Sequence, residues 1–223
     1  MITTAMITSA MTSKHFLFGR SRGVAWRVLA AVTLAGVLSA CGTGRSTQSP
    51  TQLDLGAAQQ RTTVNLPSNP PITVPAASSA SLLTETMVVW RVGDHGQPQA
   101  YSTFQWIAPP AKLVTQRLMD RLSLQGAVLP QNVGGDLPQL RTNLQRFEQT
   151  FSLDGSTSRG HLTMQVVLVK GSKVVNQLMI DVSVPAKSQD ALGGAQALRE
   201  ATDQTVDQVA QWLTAELKKP AAN

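Results

Sequence analysis

The only thiol in 223 residues is Cys41, which stands in LAGVLSACGTG directly after an apolar run and ahead of a polar stretch. A lone cysteine makes no intramolecular disulfide. It can be a nucleophile, a metal ligand, a core residue or a site of covalent modification. Other groups suited to a reaction are sparse. Asp94 and His95 adjoin in GDHGQP, a Gly-flanked turn in which a solvated pair is the simpler reading than an acid–base couple, and His161 opens a β-rich run. Neither histidine stands in a ligand spacing such as HExxH, so no transition-metal site is expected. Gly134 with Gly135, and Gly193 with Gly194, lack the GxxxxGK[ST] or GxGxxG frame of a phosphate loop and read as a loop and a frayed helix start. No serine lies in a GxSxG elbow. The expectation is a protein that is not an enzyme and carries neither cofactor nor metal.

What precedes Cys41 selects among its possible roles. Lys14, Arg20, Arg22 and Arg27 come before the apolar run Val28 to Leu38, with no acidic residue ahead of Asp54. A basic region, a short apolar region and small residues at its end form the layout of an export signal. At about 11 residues the run falls short of the roughly 20 needed to span a bilayer as a helix. Leu38, Ser39, Ala40 and Cys41 resemble the lipobox of bacterial lipoproteins, whose first mature residue is an acylated cysteine. A single acyl chain gives only marginal binding at ~0.8 kcal/mol per buried CH₂, and a second signal makes the anchor stable. Residues 1–40 therefore read as a lipoprotein signal peptide, started at Met1, Met6 or Met11, and Cys41 as the lipidation site.

Removing that segment takes away four basic side chains and leaves 15 basic against 13 acidic ones, so the formal charge falls from +6 to +2. The remaining cations are dispersed among acids, which argues against nucleic acid as a partner. From Gly42 to Asn65 the only large apolar side chains are Leu53, Leu55 and Val64, and residues 41–66 read as a flexible tether after the lipidated cysteine. A strand hidden near Leu53 and Leu55 is the alternative. Residues 67–219 are long enough to bury about 70% of their unfolded surface without staples, and 220–223 form a tail.

Within that domain PPITV and TETMVVWRV are β-rich, and GDHGQP joins the second to AYSTFQW as a hairpin. Pro109 and Pro110 open a helix with Ala111, Val114, Leu118 and Leu122 on one face. Leu137, Leu140, Leu144, Phe147 and Phe151 step at a helical period, whereas a strand there would require a bulge to keep Leu140 and Phe147 on one side. HLTMQVVLVK and KVVNQLMIDVSV read as a second hairpin through Gly171 and Ser172. A closing helix, roughly Asp190 to Leu217, carries the stripe Ala191, Ala195, Leu198, Thr202, Val206, Val209, Leu213 and Leu217, with Arg199, Asp203, Asp207, Gln208 and Gln211 off the stripe on its surface. The fold class expected is α+β, two-layer, with a mostly antiparallel sheet and two amphipathic helices on one face.

The stretch AYSTFQWIAPPAKLVTQRLMDRL, with Tyr101, Trp106, Pro109 and the helix ending at Leu122, resembles the ABC-type transport auxiliary lipoprotein family. LQRFEQTF, the paired strands and the final helix with Ala197, Ala201, Trp212 and Leu213 are similar to the same family in the same order, over about Ile72 to Leu217. The resemblance implies that RFEQ belongs to a bulged strand rather than a helix. It also implies a periplasm-facing lipoprotein of a Gram-negative cell that works with an ATPase, a permease and an MCE-domain protein to move lipids between inner and outer membranes. The long polar spacer after Cys41 departs from members whose first strand begins sooner. Gly42 is not the Asp that commonly retains lipoproteins in the inner membrane, which favours the outer one. Trp90, Tyr101, Phe104, Trp106, Pro109 and Pro110 are the candidate contact residues for the partner or for lipid, since aromatic side chains bury much area at interface cores. A periplasmic lipid carrier and an outer-membrane assembly lipoprotein are the alternative functions, and self-association is left open.

Overall fold

The structure is a computed structural model that describes residues 49–57, 68–130 and 137–219. Its longest elements come from the sequence with the clearest alternation. Strands β7 (Gln139–Phe151), β8 (Ser158–Lys170) and β9 (Lys173–Pro185) run antiparallel as a meander. The tight turn between β8 and β9 is made by Gly171, whose φ of 59° lies in the left-handed region that costs glycine little.

On β8 every second residue from Ser158 to Leu168 is buried, and on β9 Ile180, Val182 and Val184 continue that face. Strand β7 shows a helical spacing of apolar residues yet is extended. Its register to β8 shifts between Leu144 and Arg146, so one extra residue is inserted and the phase of alternation changes. Leu140 and Leu144 before the bulge and Phe147 and Gln149 after it all point into the core.

The opposite edge of β7 is shared in parallel by three shorter strands: β2 (Ile72–Thr73) at its start, β3 (Ser78–Ser79) in the middle and β4 (Met87–Val92) at its end. Beyond β4 lies β5 (Gln99–Trp106), antiparallel to it, and β6 (Val128–Leu129) flanks β2. Two helices complete the domain: α1 (Pro110–Ser123), which starts on its prolines, and α2 (Ala191–Lys218). Asp190 caps α2 by accepting a hydrogen bond from the Gly193 N–H at 2.7 Å. That bond, with another from the Ser188 hydroxyl, holds its carboxyl below the usual carboxylate range. Both helices join the sheet in a single apolar core that includes Trp106, Leu118, Phe147, Leu162, Met164, Leu198 and Leu213. Burying each such side chain contributes roughly 1.5–3 kcal/mol. The fold is the two-layer α+β arrangement with a mostly antiparallel sheet.

Three expectations change. Residues 51–57 are not tether: β1 (Thr51–Leu53) pairs in parallel with β5, and Leu53 and Leu55 are both buried. The two leucines are spaced for one face of a strand, and β5 supplies the edge that three residues need in order to be extended. Residues 1–48 and 58–67, with the signal segment and Cys41, lie outside the described residues, as do Gly134 and Gly135.

Asp203 is not on the helix surface but 7% exposed, turned toward α1. Gly193 and Gly194 are not a frayed start either. They form the first turn of α2, where a Cβ on Gly193 would lie 2.2 Å from the Ser188 carbonyl oxygen.

Candidate functional site

The six candidate contact residues separate into two groups. Trp106 is 1% exposed and meets Phe147 edge to face at 5.4 Å between ring centroids, and Pro110 is buried in the first turn of α1. Both serve the core, because alternation along β5 turns Trp106 toward the helices and α1 closes over it. Neither is available to a partner.

Trp90, Tyr101, Phe104 and Pro109 are half-buried. The first three gather at one end of the sheet. Tyr101 lies 6.1 Å from Trp90 and 6.2 Å from Phe104, and Trp90 stacks edge to face on Phe151 at 5.7 Å. Tyr101 and Phe104, three apart, share a side because the β4–β5 register is irregular: Met87 pairs with Gln105 but Val89 with Ala100. The result is an aromatic surface with a single polar attachment beneath it. The Tyr101 hydroxyl donates to Gln149 Oε1 at 2.8 Å, and the wholly buried Gln149 donates through Nε2 to Ser158 Oγ at 2.8 Å. Burial, reinforced by the negative charge of Asp190, pushes the Tyr101 phenol up to about 12.

A second feature lies along α2. A groove of about 440 Å³ runs between the N-terminal segment and the helix, with Leu53, Leu55, Leu192 and Ala195 on its apolar part and Arg199 and Glu200 on its charged part. Its floor is tied by Arg117 of α1. The guanidinium donates to Asp203 Oδ1 at 2.6 Å and to the carbonyl oxygens of Leu55 at 2.7 Å and Gly56 at 2.6 Å. Arg199 Nε donates to the Asp54 carbonyl oxygen at 2.8 Å. Two arginines thus fasten the segment that leads back toward Cys41. The polar face of α1 carries this residue type at one position that proves buried, which a pattern of apolar residues does not signal.

On the outer face of the sheet Glu148 is 3% exposed and is held by Arg91 at 2.6 Å and by Arg146, which also pairs with Asp94. A buried carboxylate tolerates such a position only when ion-paired and hydrogen-bonded. This network braces the turn after β4, where Asp94 accepts from Arg146 at 3.0 Å.

Residues 52–210 match the profile of the family described as the ABC-type transport auxiliary lipoprotein component. The chain belongs to that family. The auxiliary lipoprotein domain begins in β1 and runs through most of α2, which agrees with the folded role of Leu53 and Leu55. Among solved structures, a Xanthomonas campestris protein of the DUF330 family is similar at a TM-score of 0.60 and 18% identity, covering 76% of this chain and 93% of that one. An uncharacterized protein is similar at a TM-score of 0.59 and 14% identity, with coverage of 74% and 99%. At these identities the likeness shows the fold alone. No curated protein matches the chain in sequence. Among the described residues no helix is long and apolar enough to cross a membrane.

Proposed function

We propose that the auxiliary lipoprotein is anchored by acylated Cys41 on the periplasmic face of the outer membrane, and that it serves an MCE-type ABC system moving lipids between the two membranes. In this reading the domain docks on the MCE-domain protein that works with the permease and the ATPase. The observation that carries it is the family match over residues 52–210, preceded at a short distance by the Leu38-Ser39-Ala40-Cys41 sequence. Docking uses the half-buried surface of Trp90, Tyr101 and Phe104, with Pro109 beside it; such aromatic surfaces bury area at little cost in side-chain entropy. Gly42 after the modified cysteine supports the outer membrane over the inner one.

The test is capture of the MCE-domain protein encoded beside this gene by the purified domain, compared with Phe104→Ala. A several-fold loss of capture with an unchanged circular dichroism spectrum is expected, and undiminished capture sinks the proposed contact surface. Absence of an MCE-domain gene from the neighbourhood removes the transport assignment. The groove beside α2 favours one competing reading, a carrier that holds a single lipid. Native mass spectrometry of the domain decides it: phospholipid bound at one per chain supports the carrier.

A further inference from the structure

We infer that the acylated chain holds its domain in a fixed polarity, with the end that bears Val92, Leu153 and Leu192 against the phospholipid surface and the β8–β9 hairpin tip pointing away. This rests on the proposed acylation of Cys41. The folded part starts earlier than composition alone implies, so the link is short. Eight residue steps separate Cys41 from Ser49, the first described residue of the domain. Fully stretched they span at most about 29 Å. A domain of this size is about 40 Å across. The anchor therefore reaches less than one domain diameter, and the side from which the chain departs decides what faces the lipid.

The strand register fixes that side. Gln52 pairs with Gln105, Gln105 with Met87, and Met87 lies three residues before Trp90, the partner of Gln149, which places it level with Arg146. Arg146 pairs with Thr163. Gln52 is thus level with Thr163, seven residues short of Lys170, or about 23 Å from the hairpin tip. Moreover β1 runs parallel to β5, and β5 runs in the direction of β8, so the chain traced back from Thr51 moves away from the tip.

It moves toward the end formed by the β4–β5 turn, the β7–β8 turn and the first turn of α2. Leu153 is 87% exposed there and leans over Gly93, Leu192 is 56% exposed, and Val92 is 40% exposed. Apolar tips at the foot of an acylated domain add buried area to the anchor. The same end carries Asp94, Asp154 and Asp190 with Arg159 and Lys187 among them, whereas Lys170, Lys173, Lys218 and Lys219 cluster by sequence at the far end with the exposed Val174 and Val175. A tip-down domain would offer the lysines to lipid, but would hold Gln52 about 23 Å from the surface and draw the link close to its stretched limit of about 29 Å.

The test uses the full acylated chain in phosphatidylcholine vesicles that contain a lipid with a nitroxide near its headgroup. Cys41 is the only native cysteine and its sulfur is consumed by acylation, so Leu153→Cys, Leu192→Cys and Val174→Cys can each be labelled singly with a fluorophore. Quenching several-fold stronger at positions 153 and 192 than at 174 is expected. Equal or stronger quenching at 174, or none at any position in vesicle-bound protein, overturns the polarity while leaving the anchor standing. Failure of the full chain to float with vesicles instead overturns the acylation reading and the polarity with it.

Discussion

The side-chain oxygen of Gln149 lies where a Cβ on Gly194 would come within 2.2 Å of it. A side chain in the first turn of α2 at position 194 would therefore have to displace the buried Gln149 amide, and the Tyr101–Gln149–Ser158 chain of hydrogen bonds is closed under that turn. Helix propensity by itself favours alanine over glycine by about 1 kcal/mol. Overpacking costs about 1–3 kcal/mol, and here it also displaces a satisfied buried amide.

Gly194→Ala should accordingly lower stability by about 2 kcal/mol in chemical denaturation, against the direction of propensity. Adding Gln149→Ala should recover part of the loss by removing the obstructing atom. If Gly194→Ala stabilises the domain, the close approach of α2 to β7 is not as described.

Arg117 gives a second prediction. Its side chain is 5% exposed, and its replacement by Met removes at once its bonds to the Asp203 carboxylate and to the Leu55 and Gly56 carbonyl oxygens. Removing one member of a buried ion pair typically costs about 3–5 kcal/mol. Hydrogen exchange should accelerate selectively in residues 51–56 of Arg117→Met before the β7–β8–β9 meander is affected. Uniform acceleration across the domain would show that Arg117 does not specifically retain the N-terminal segment.

Tyr101 is the only tyrosine in the chain, so its ionisation can be followed by absorbance without interference. The folded phenol is pushed up to about 12 by burial and by Asp190, above an unfolded value near 10. Folding thus favours the protonated form. This contribution is intact below about pH 10 and fades as the pH rises from there toward 12. The phenolate band should appear well above pH 10 in the native domain and near pH 10 in denaturant. Titration near 10 in both states would place Tyr101 in contact with solvent and detach it from Gln149.

For the proposed anchor, Cys41→Ser should abolish the acyl mass that intact-mass measurement finds on the native protein and should block removal of residues 1–40. Gly42→Asp should leave acylation intact and shift the protein toward the inner membrane on sucrose-gradient fractionation. An unmodified Cys41 thiol in the native protein would end the lipoprotein assignment for this chain.

The elements with regular alternation or an uninterrupted apolar stripe were legible as sequence: both hairpins and both helices. The strand at Gln139–Phe151 followed from the family resemblance alone, because the bulge between Leu144 and Arg146 gives its apolar residues a helical spacing. What escaped depends on neighbours. Strand β1 has only three residues, and Leu53 in it and Leu55 just after it acquire meaning from β5, whose paired residues lie 53 positions later in the chain. Asp203 and Arg117 occupy polar positions of two helices, and only the crossing of α1 and α2 turns those positions inward. For the candidate surface, aromatic composition identified Tyr101, Phe104 and Trp90, but it did not separate them from Trp106, whose burial is decided by α1 closing over β5.

The parallel pairing of β1 with β5 also sets how the domain bears a load. A pull applied to Thr51 along the strand loads its bonds to β5 together in shear instead of opening them one by one as in a hairpin peeled from its end. Arg117 and Arg199, gripping the carbonyl oxygens of Asp54, Leu55 and Gly56 immediately behind β1, add a second row of fasteners on the same line of force. Under the proposed anchor, a load on the N-terminal segment meets these bonds before it reaches the aromatic surface of Trp90, Tyr101 and Phe104.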